Sequence, residues 1–570
     1  MPSHLELLPI DILSYIVFLC VEATPFEPLK TILQLLLTSR TINEALSSCP
    51  HLYACIFRER FDCAAVLRRS TGHLVPASWL ALELRRRSIA LLRARLARDA
   101  TEQELCDDLT TLYLMCLEND GLNQIHIQGA SVPSFVHRLV VQRLRQNVGD
   151  FSWPLETPAV ALAAAIMALT WTRDDINKLT CEEREELLTL LRPFTMPMHE
   201  KSLSYACIKG SGGTQLSARK DLIQGDTDSG ASIRHEIVSR CRGFSLSHPN
   251  LRSSAIFLTF VLKETLSIRA PHHLLPTRAA AEAVQRSGPT MEDYTAFARM
   301  KTPLVADAIN IDIADDIPRK NGAHRVKDKR ASRSLRHDAD FFSIARNCNC
   351  CSELHSSLPS SPAYVPGTLS GLWEGSMMVS PLSSSSSAPR ERTFASVPDF
   401  LSRQPWQCRF REFLPLPLKA MNEAGDPQAT YWGGGVQELE VDRNLLTDLE
   451  SPVKSHYVPD VRDVTKKLHE GGMRDARVKE AHEIVILGET PPEFDAAWGG
   501  FYYRGTARTA DGLITLKRQP KDSGDERSGT WTFSGRIMSG QTFVGTWHSG
   551  CDTDEPCKVE GIFSLSKPGK

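Results

Sequence analysis

Residues 529–547 read Gly-Thr-Trp-Thr-Phe-Ser-Gly-Arg-Ile-Met-Ser-Gly-Gln-Thr-Phe-Val-Gly-Thr-Trp. Two short runs of strand-forming residues flank the turn-forming pair Ser539-Gly540, and in each run a glycine stands near an aromatic residue. Glycine lets a strand coil tightly, and the aromatic side chain fills the space inside the coil. The pattern therefore predicts a strongly curved antiparallel sheet.

Similar runs extend this prediction over residues 369–570. The other predicted strands are Leu369–Gly375, Trp406–Phe413, Trp498–Gly505, Gly512–Leu516 and Val559–Leu565. Short strands at close intervals favour an up-and-down barrel or a barrel-like sandwich. A polar, serine-rich insert near residues 376–404 interrupts the pattern, and we expect it to be disordered.

Composition limits the remaining possibilities. A chain of 570 residues is long enough for about three or four domains. Its net charge of −2 excludes a chain-wide polycation, so we expect no nucleic-acid partner. The longest nearly apolar run, Ala159–Trp171, is too short to cross a bilayer, and no membrane association is expected. Fifteen scattered cysteines favour a reducing compartment, which predicts a cytoplasmic or nuclear location.

Residues 1–65 have the pattern of several short helices. Leu8-Pro9-Ile10-Asp11-Ile12-Leu13 is typical of a helix start, because proline is tolerated in a first turn and an acidic residue suits the positive end of the helix dipole. A second helix over Leu29–Leu37 is apolar almost all round. Two neighbouring short helices cannot cover all of that surface, so either a partner or the following domain must cover the rest.

This stretch resembles the F-box motif. The resemblance lies in Leu8-Pro9-Ile10-Asp11-Ile12-Leu13, in the apolar second helix that ends in Thr38-Ser39-Arg40, and in a close with Pro50, Leu52 and Phe61. F-box proteins dock through this all-α hairpin on Skp1, the adaptor of a cullin-based ubiquitin ligase. The resemblance implies a Skp1-binding surface made of Leu8, Pro9, Ile12, Leu13, Ile16, Leu33 and Leu36.

Residues 74–300 are predicted to be helical. A helix over Glu104–Cys116, a turn over Asn119–Ile125 and a new helix starting at Gly129–Val136 resemble one armadillo unit, and an irregular helical bundle is the alternative. Residues 301–368 have the composition of a basic and polar linker. Within them Arg319–Arg336 has the character of a nuclear-import tract or a solvated linker, and Asn347–Cys351 lacks the spacing of a zinc site.

The predicted barrel also resembles a family feature. Some F-box proteins end in a barrel that begins Gly-Leu-Trp-x-Gly and binds the protein to be ubiquitinated, and Gly371-Leu372-Trp373-Glu374-Gly375 is similar. The aromatic residues of the barrel that we predict to form this substrate-binding surface are Trp373, Trp498, Tyr503, Trp531 and Trp547.

Three functions are compatible with these patterns. The first is a non-catalytic substrate-recognition subunit of a Skp1–cullin–F-box ubiquitin ligase, whose partners are a Skp1-like adaptor, a cullin and a target protein. The second is an armadillo-type scaffold or transport adaptor. The third is a small-ligand-binding barrel in which Trp531 and Trp547 face a cavity. No phosphate-binding loop, zinc helix or nucleophile elbow is found, so we predict neither catalysis, metal nor cofactor.

Overall fold

The computed structural model describes residues 5–22, 30–69, 75–97, 100–146, 156–195, 237–239, 244–266, 268, 270–308, 333–346, 363–380, 400, 402–413, 483–521, 530–549 and 559–568. Helices dominate the first two thirds of the described chain, and a closed antiparallel barrel of eight strands forms the last third. The predicted α + β organisation is confirmed, and of the two predicted β architectures the structure is the barrel.

The N-terminal helical unit consists of four short helices. They are α1 (Ile10–Glu22), α2 (Lys30–Thr38), α3 (Arg40–Ser47) and α4 (Pro50–Arg60). Pro50 occupies the first turn of α4, where its missing N–H has no helical partner to lose. Leu13 and Val17 of α1 are buried with Ile32, Ile42 and Leu46. A short helix, α5 (Ala64–Arg69), leads to the next part of the chain.

The helical middle packs around one central helix. Its helices are α6 (Ala77–Leu96), α7 (Glu102–Leu117), α8 (Leu122–Gly129), α9 (Val132–Gln146), α10 (Pro158–Thr170), α11 (Arg173–Asn177), α12 (Cys181–Thr195), α13 (Leu251–Lys263), α14 (Arg278–Ala283) and α15 (Met291–Arg299), with a two-stranded hairpin of β1 (Ile237–Ser239) and β2 (Phe244–Leu246). The apolar run at Ala159–Trp171 is α10, which is buried on all sides. No helix in the described ranges has the length and apolar character needed to span a bilayer.

One local prediction in this middle part was wrong. The predicted turn over Asn119–Ile125 is a turn only at its start, because α8 begins at Leu122. Gly121 makes this possible, since its φ of 133° is a backbone conformation that side-chain-bearing residues rarely adopt.

The barrel is a meander closed by pairing of its first and last strands. Its strands are β3 (Gly371–Val379), β4 (Ser402–Phe413), β5 (Glu483–Glu489), β6 (Phe501–Arg508), β7 (Ile514–Pro520), β8 (Trp531–Met538), β9 (Thr542–Ser549) and β10 (Glu560–Ser566). Gly535 and Gly545 are opposite each other on β8 and β9. A Cβ atom at these two positions would lie only 2.9 and 2.8 Å from Cζ of Phe563, so the aromatic ring occupies the space that the glycines leave free.

Several strand assignments differ from the sequence prediction. The predicted strand Trp498–Gly505 begins only at Phe501, as β6. β3 continues to Val379 and β4 begins at Ser402, so both ends of the predicted insert at 376–404 are strand, paired from Ser376↔Pro405 to Val379↔Ser402. β5 was not predicted at all. Its run Ile484–Leu487 is apolar at every position, and it lacks the glycine–aromatic pattern that identified the other strands.

The predicted linker over residues 301–368 is folded where the structure describes it. A 3₁₀ helix (Arg333–His337) leads into α16 (Asp338–Arg346), whose Phe341 and Ile344 are buried in the core. Asp338 accepts hydrogen bonds from Arg68 and Arg69, and Asp340 accepts one from the backbone N–H of Ser539 in the barrel. Residues 333–346 therefore join the helical part to the barrel. Residues 319–332 and the run Asn347–Cys351 lie outside the described residues.

Candidate protein-interaction surfaces

The N-terminal helical unit leaves apolar side chains exposed on its first two helices. Ile12 is 50% exposed and Leu33 is 57% exposed. We define the exposed apolar face as the large hydrophobic side chains that point to solvent before residue 40, namely Leu7, Ile10, Ile12, Tyr15, Leu19, Leu33 and Leu37. The spacing 12, 15, 19 on α1 and 33, 37 on α2 places each set along one side of its helix.

The residues predicted to bind Skp1 divide into three groups. Ile12, Leu33 and Pro9 are exposed, and Leu8, Ile16 and Leu36 are half-buried. Leu13 is buried, and it packs in the core of the unit rather than on its surface.

Polar side chains fix the chain turns next to this face. The Ser39 hydroxyl donates a hydrogen bond to the carboxylate of Glu6, which ties the segment before α1 to the start of α3. At the end of α2, Thr38 donates to the carbonyl of Leu35 (2.6 Å) and Asn43 donates to the carbonyl of Leu36 (3.2 Å). These bonds satisfy carbonyl groups that the helix end leaves without intrahelical partners, so α2 stops here and α3 follows directly.

A buried arginine attaches the N-terminal helical unit to the helical middle. Arg87 of α6 is fully buried, and its guanidinium lies 2.5 Å from the Glu118 carboxylate and 3.4 Å from that of Glu83. Its guanidinium carbon lies 4.7 Å from the ring centroid of Phe57 on α4. The arginine thus contacts both sides of the junction between α4 and the middle helices.

Two titratable groups with opposite pKa shifts lie at the same junction. The Asp62 carboxylate accepts backbone N–H bonds from Asp120 (3.0 Å), Leu122 (3.3 Å) and Asn123 (2.8 Å), yet burial raises the pKa of Asp62 to about 6. Burial lowers the pKa of His126 to about 4, and this ring lies 2.9 Å from the carbonyl oxygen of Arg60. At neutral pH this junction therefore holds an ionised aspartate and an uncharged histidine.

The barrel interior is filled by its own aromatic side chains. Trp406 lies between Phe533 (4.3 Å between ring centroids) and Phe563 (5.2 Å). Three of the predicted substrate-binding residues, Trp373, Tyr503 and Trp547, belong to this interior and are buried. The Trp547 ring N–H donates to the carbonyls of Met378 and Ile562, so its polar atom is satisfied inside the wall.

Trp531 lies at one end of the barrel and is only half-buried. Its ring stacks on Trp547 at 4.5 Å with an interplanar angle of 7°. Arg518, which pairs with Trp531 across β7 and β8, places its guanidinium carbon 3.5 Å from the Trp531 ring centroid and 4.0 Å from that of Phe501. We refer to Phe501, Arg518 and Trp531 as the Trp531 end.

Arg518 is an unusual component of this end, because it is 5% exposed and its Nε has no hydrogen-bond partner. Burial lowers the pKa of Arg518 to about 10, an effect that the Tyr503 hydroxyl partly opposes. Within the described residues no carboxylate forms an ion pair with it. Its charge is stabilised mainly by the faces of aromatic rings.

Trp498, the fifth predicted residue, is placed away from the barrel interior. It ends α17 (Pro492–Trp498), and its ring contacts Tyr294 at 5.4 Å and Phe297 at 6.3 Å on α15. The guanidinium of Arg403 on β4 lies over Phe297 and within 3.4 Å of the Glu264 carboxylate. Trp498 therefore belongs to the contact between the barrel and the helical middle.

The sequence prediction missed some members of both surfaces. On the exposed apolar face these are Leu7, Ile10, Tyr15, Leu19 and Leu37, although helical spacing from Ile12 and Leu33 would have found the last three. At the Trp531 end it missed Phe501 and Arg518. Nothing in the local sequence Thr515–Gln519 distinguishes a buried arginine from a solvated one.

Comparison with family models, with curated proteins and with solved structures gives no match of any of the three kinds. Function therefore has to be inferred from the geometry of the two surfaces. Among the described residues no group of three or more histidine, cysteine, aspartate or glutamate side chains is arranged to hold a metal ion.

Proposed function

We propose that this protein is a non-catalytic substrate-recognition subunit of a Skp1–cullin–F-box ubiquitin ligase. The N-terminal helical unit docks on a Skp1-like adaptor, and the barrel holds a target protein. The observation that carries the proposal is the exposed apolar face, because it lies on the helices whose sequence resembles the F-box motif.

The packing of the N-terminal helical unit favours contact of its exposed apolar side chains with a partner protein over contact with the rest of this chain. The apolar excess of α1 and α2 has to be covered either by the following domain or by another protein. The following domain packs mainly against α4, through Phe57 and the buried Arg87. Ile12 and Leu33 remain exposed after this packing. Rows of large apolar side chains exposed on two packed helices favour a protein-interaction site.

The barrel supports target binding more than small-ligand binding. Its interior is occupied by the rings of Trp373, Trp406, Phe533 and Phe563, which leaves little room for a ligand. Trp531 and Phe501 remain partly accessible beside the buried charge of Arg518. Tryptophan and arginine are among the residue types that often dominate protein–protein binding energy.

The proposed mechanism is proximity. A receptor contributes no reacting group, but it holds the target near the ubiquitin-carrying enzyme and so raises the effective concentration of the target's lysines. The folded connection through Arg87 and through residues 333–346 would keep the two binding surfaces at a fixed separation. An armadillo-like role of the middle helices as a spacer, and a cytoplasmic or nuclear location, are parts of the same proposal.

The test is affinity purification of the full chain from cells, with Skp1 and a cullin detected by immunoblotting. The double variant Ile12→Asp/Leu33→Asp should lose both proteins. The matched control is Leu67→Asp, because Leu67 is equally exposed but lies on α5, outside the exposed apolar face. Retention of both proteins by the double variant, or their absence from the unaltered chain, would overturn the proposal.

A further inference from the structure

A second exposed apolar row runs along α6, outside the N-terminal helical unit. The exposed large hydrophobic residues of this helix are Leu82, Ile89, Leu92 and Leu96, each 37 to 47% exposed. We call these four residues the α6 stripe. The opposite side of the helix carries the buried residues Leu80, Leu84, Arg87 and Ala94, and it packs on α4 and α7.

The spacing of the stripe is that of a coiled-coil seam. Ser78, Leu82, Arg85, Ile89, Leu92 and Leu96 are all exposed, and they follow one another at alternating steps of four and three residues. With Leu82, Ile89 and Leu96 at a positions, Arg85 and Leu92 occupy d positions. From Leu82 to Leu96 the seam is about 21 Å long, at 1.5 Å per residue. A surface helix with its core on the other side has no packing reason to repeat this pattern towards solvent.

The charged residues of α6 are mainly basic. α6 contains five arginines and a single acidic residue, Glu83, which is buried beside Arg87. Arg93 is paired with Glu104 and Asp108 of α7. Arg85 and Arg86 form no ion pair with any described residue, and the Arg95 guanidinium donates only to the Gly129 carbonyl. The seam is thus apolar at Leu82, Ile89, Leu92 and Leu96, it includes Arg85 at one d position, and Arg86 and Arg95 lie beside it.

From this pattern we infer that the α6 stripe binds an acidic amphipathic helix of a partner protein. Leucine-like side chains of that helix would pack against the stripe, and its glutamates or aspartates would pair with Arg85, Arg86 and Arg95. A second copy of this chain is a poor occupant, because two α6 helices would bring basic flanks together, and in a parallel pair Arg85 would face itself. This surface is separate from the proposed Skp1 site, since it lies on the helical middle.

The experiment measures binding of two synthetic helical probes to the purified full chain by fluorescence anisotropy. Both probes are about three heptads long with leucine at every a and d position; one carries glutamate at the e and g positions and the other carries lysine. We expect the glutamate probe to bind at least tenfold more tightly, and we expect this preference to weaken in about 0.5 M salt. Equal affinity for the two probes, or no binding of the glutamate probe, would overturn the inference.

Variants assign the binding to the stripe. Ile89→Asp/Leu92→Asp should abolish glutamate-probe binding, and Arg85→Glu/Arg86→Glu should reverse the preference to the lysine probe, whereas Leu67→Asp should change nothing. The charge-reversal variant alters the exposed Arg85 and the half-buried Arg86, neither of which forms an ion pair with a described residue, so it keeps the test valid if the double aspartate variant unfolds. Sedimentation that shows a dimer strengthened by Arg85→Glu would also overturn the inference, because the occupant would then be a second copy of this chain. Loss of Skp1 binding in Arg85→Glu/Arg86→Glu would overturn it as well, because the stripe would then belong to the proposed Skp1 site.

Discussion

The N-terminal helical unit and the C-terminal barrel place their large apolar side chains in opposite directions. In the helical unit Ile12 and Leu33 point to solvent, although buried positions such as Leu13 and Ile32 lie next to them. In the barrel Trp373 and Trp547 point inwards and are fully buried. Apolar content alone therefore does not distinguish a binding surface from a core; the direction of the side chains does.

The difference follows from how each region can close. A sheet of eight strands that pairs its first strand with its last encloses an interior, and β10 pairs with β3 over six residues. A unit of four short helices is too small to enclose all of its apolar residues. Part of its apolar surface, including Ile12 and Leu33, therefore stays exposed.

The largest loss of stability should come from removing a buried aromatic side chain of the barrel, that of Trp547. Trp547→Ala would leave a cavity beside Phe533 and lose the hydrogen bonds to Met378 and Ile562, so the barrel should lose about 3–5 kcal/mol of unfolding free energy. Urea unfolding followed by tryptophan fluorescence measures this loss. Trp531→Ala is the control, because it removes one stacked, half-buried ring and should cost about 1 kcal/mol. Similar losses for both variants would contradict the inside–outside distinction.

The junction beneath the helical unit should be almost as sensitive. Arg87→Met removes the guanidinium partner of the buried Glu118 carboxylate, and breaking a buried pair in this way costs about 3 kcal/mol. Thermal unfolding followed by circular dichroism at the helix band should show the loss. The double variant Arg87→Met/Glu118→Gln should recover part of the stability, because the buried Glu118 charge is then removed and only the Glu83 carboxylate has lost Arg87. A single variant as stable as the parent would show that this pair does not hold the two parts together.

At the same junction, Asp62 and His126 should make the unfolding free energy depend on pH in opposite directions. The pKa of Asp62 rises from 3.8 to about 6 on folding, so its stabilising contribution is complete below pH 4 and is lost as pH rises through 6. The pKa of His126 falls from 6.5 to about 4, so its contribution is present above pH 6.5 and is lost as pH falls towards 4. Each effect is about 3 kcal/mol over its window.

Two variants separate these contributions. Relative to the parent, His126→Gln should become more stable as pH falls from 6.5 to 4, and Asp62→Asn should become more stable as pH rises from 4 to 6. Unfolding free energies measured in urea at several pH values give both slopes. A pair of slopes with the same sign would contradict the assigned protonation states.

The smallest effect on stability is expected on the exposed apolar face. Ile12→Asp changes a solvent-exposed side chain, so the unfolding free energy should change by less than about 0.5 kcal/mol. The neighbouring Leu13→Ala removes a buried side chain and should cost about 2–4 kcal/mol. Comparison of the two melting temperatures tests whether the face is exposed in solution, and equal losses would show that it is not.

The sequence predicted where helices and strands lie better than it predicted which other parts of the chain they pack against. The glycine–aromatic runs located most of the barrel strands, because they depend on local backbone coiling. The same pattern missed β5, whose apolar run Ile484–Leu487 carries no glycine–aromatic signal. Residues 333–346 were expected to be linker, since the pairing of Asp338 with Arg68 joins positions 270 residues apart and leaves no mark in the local sequence.

For the candidate surfaces, too, the local sequence did not show which side chains the folded chain buries. Alternation along a strand separates two faces, but it does not say which face becomes the interior once the sheet closes. It also does not show how near a residue lies to the end of the barrel. Trp547 and Trp531 were equivalent candidates in the sequence and stack on each other on one face, but the structure buries the first and leaves the second, at the barrel end, half-exposed. On α1, helical spacing groups Ile12 with Tyr15 and Leu19, yet only the packed unit shows that Leu13 belongs to the core.

The most direct test of the central claim is a calorimetric titration of purified Skp1 into the purified full chain. The account predicts saturable binding of the unaltered chain and of Trp531→Ala, and at least a hundredfold weaker binding of Ile12→Asp/Leu33→Asp with its thermal stability unchanged. Absence of binding by the unaltered chain, or equal affinity of the Ile12→Asp/Leu33→Asp variant, would contradict the claim that the exposed apolar face is a docking surface for the adaptor.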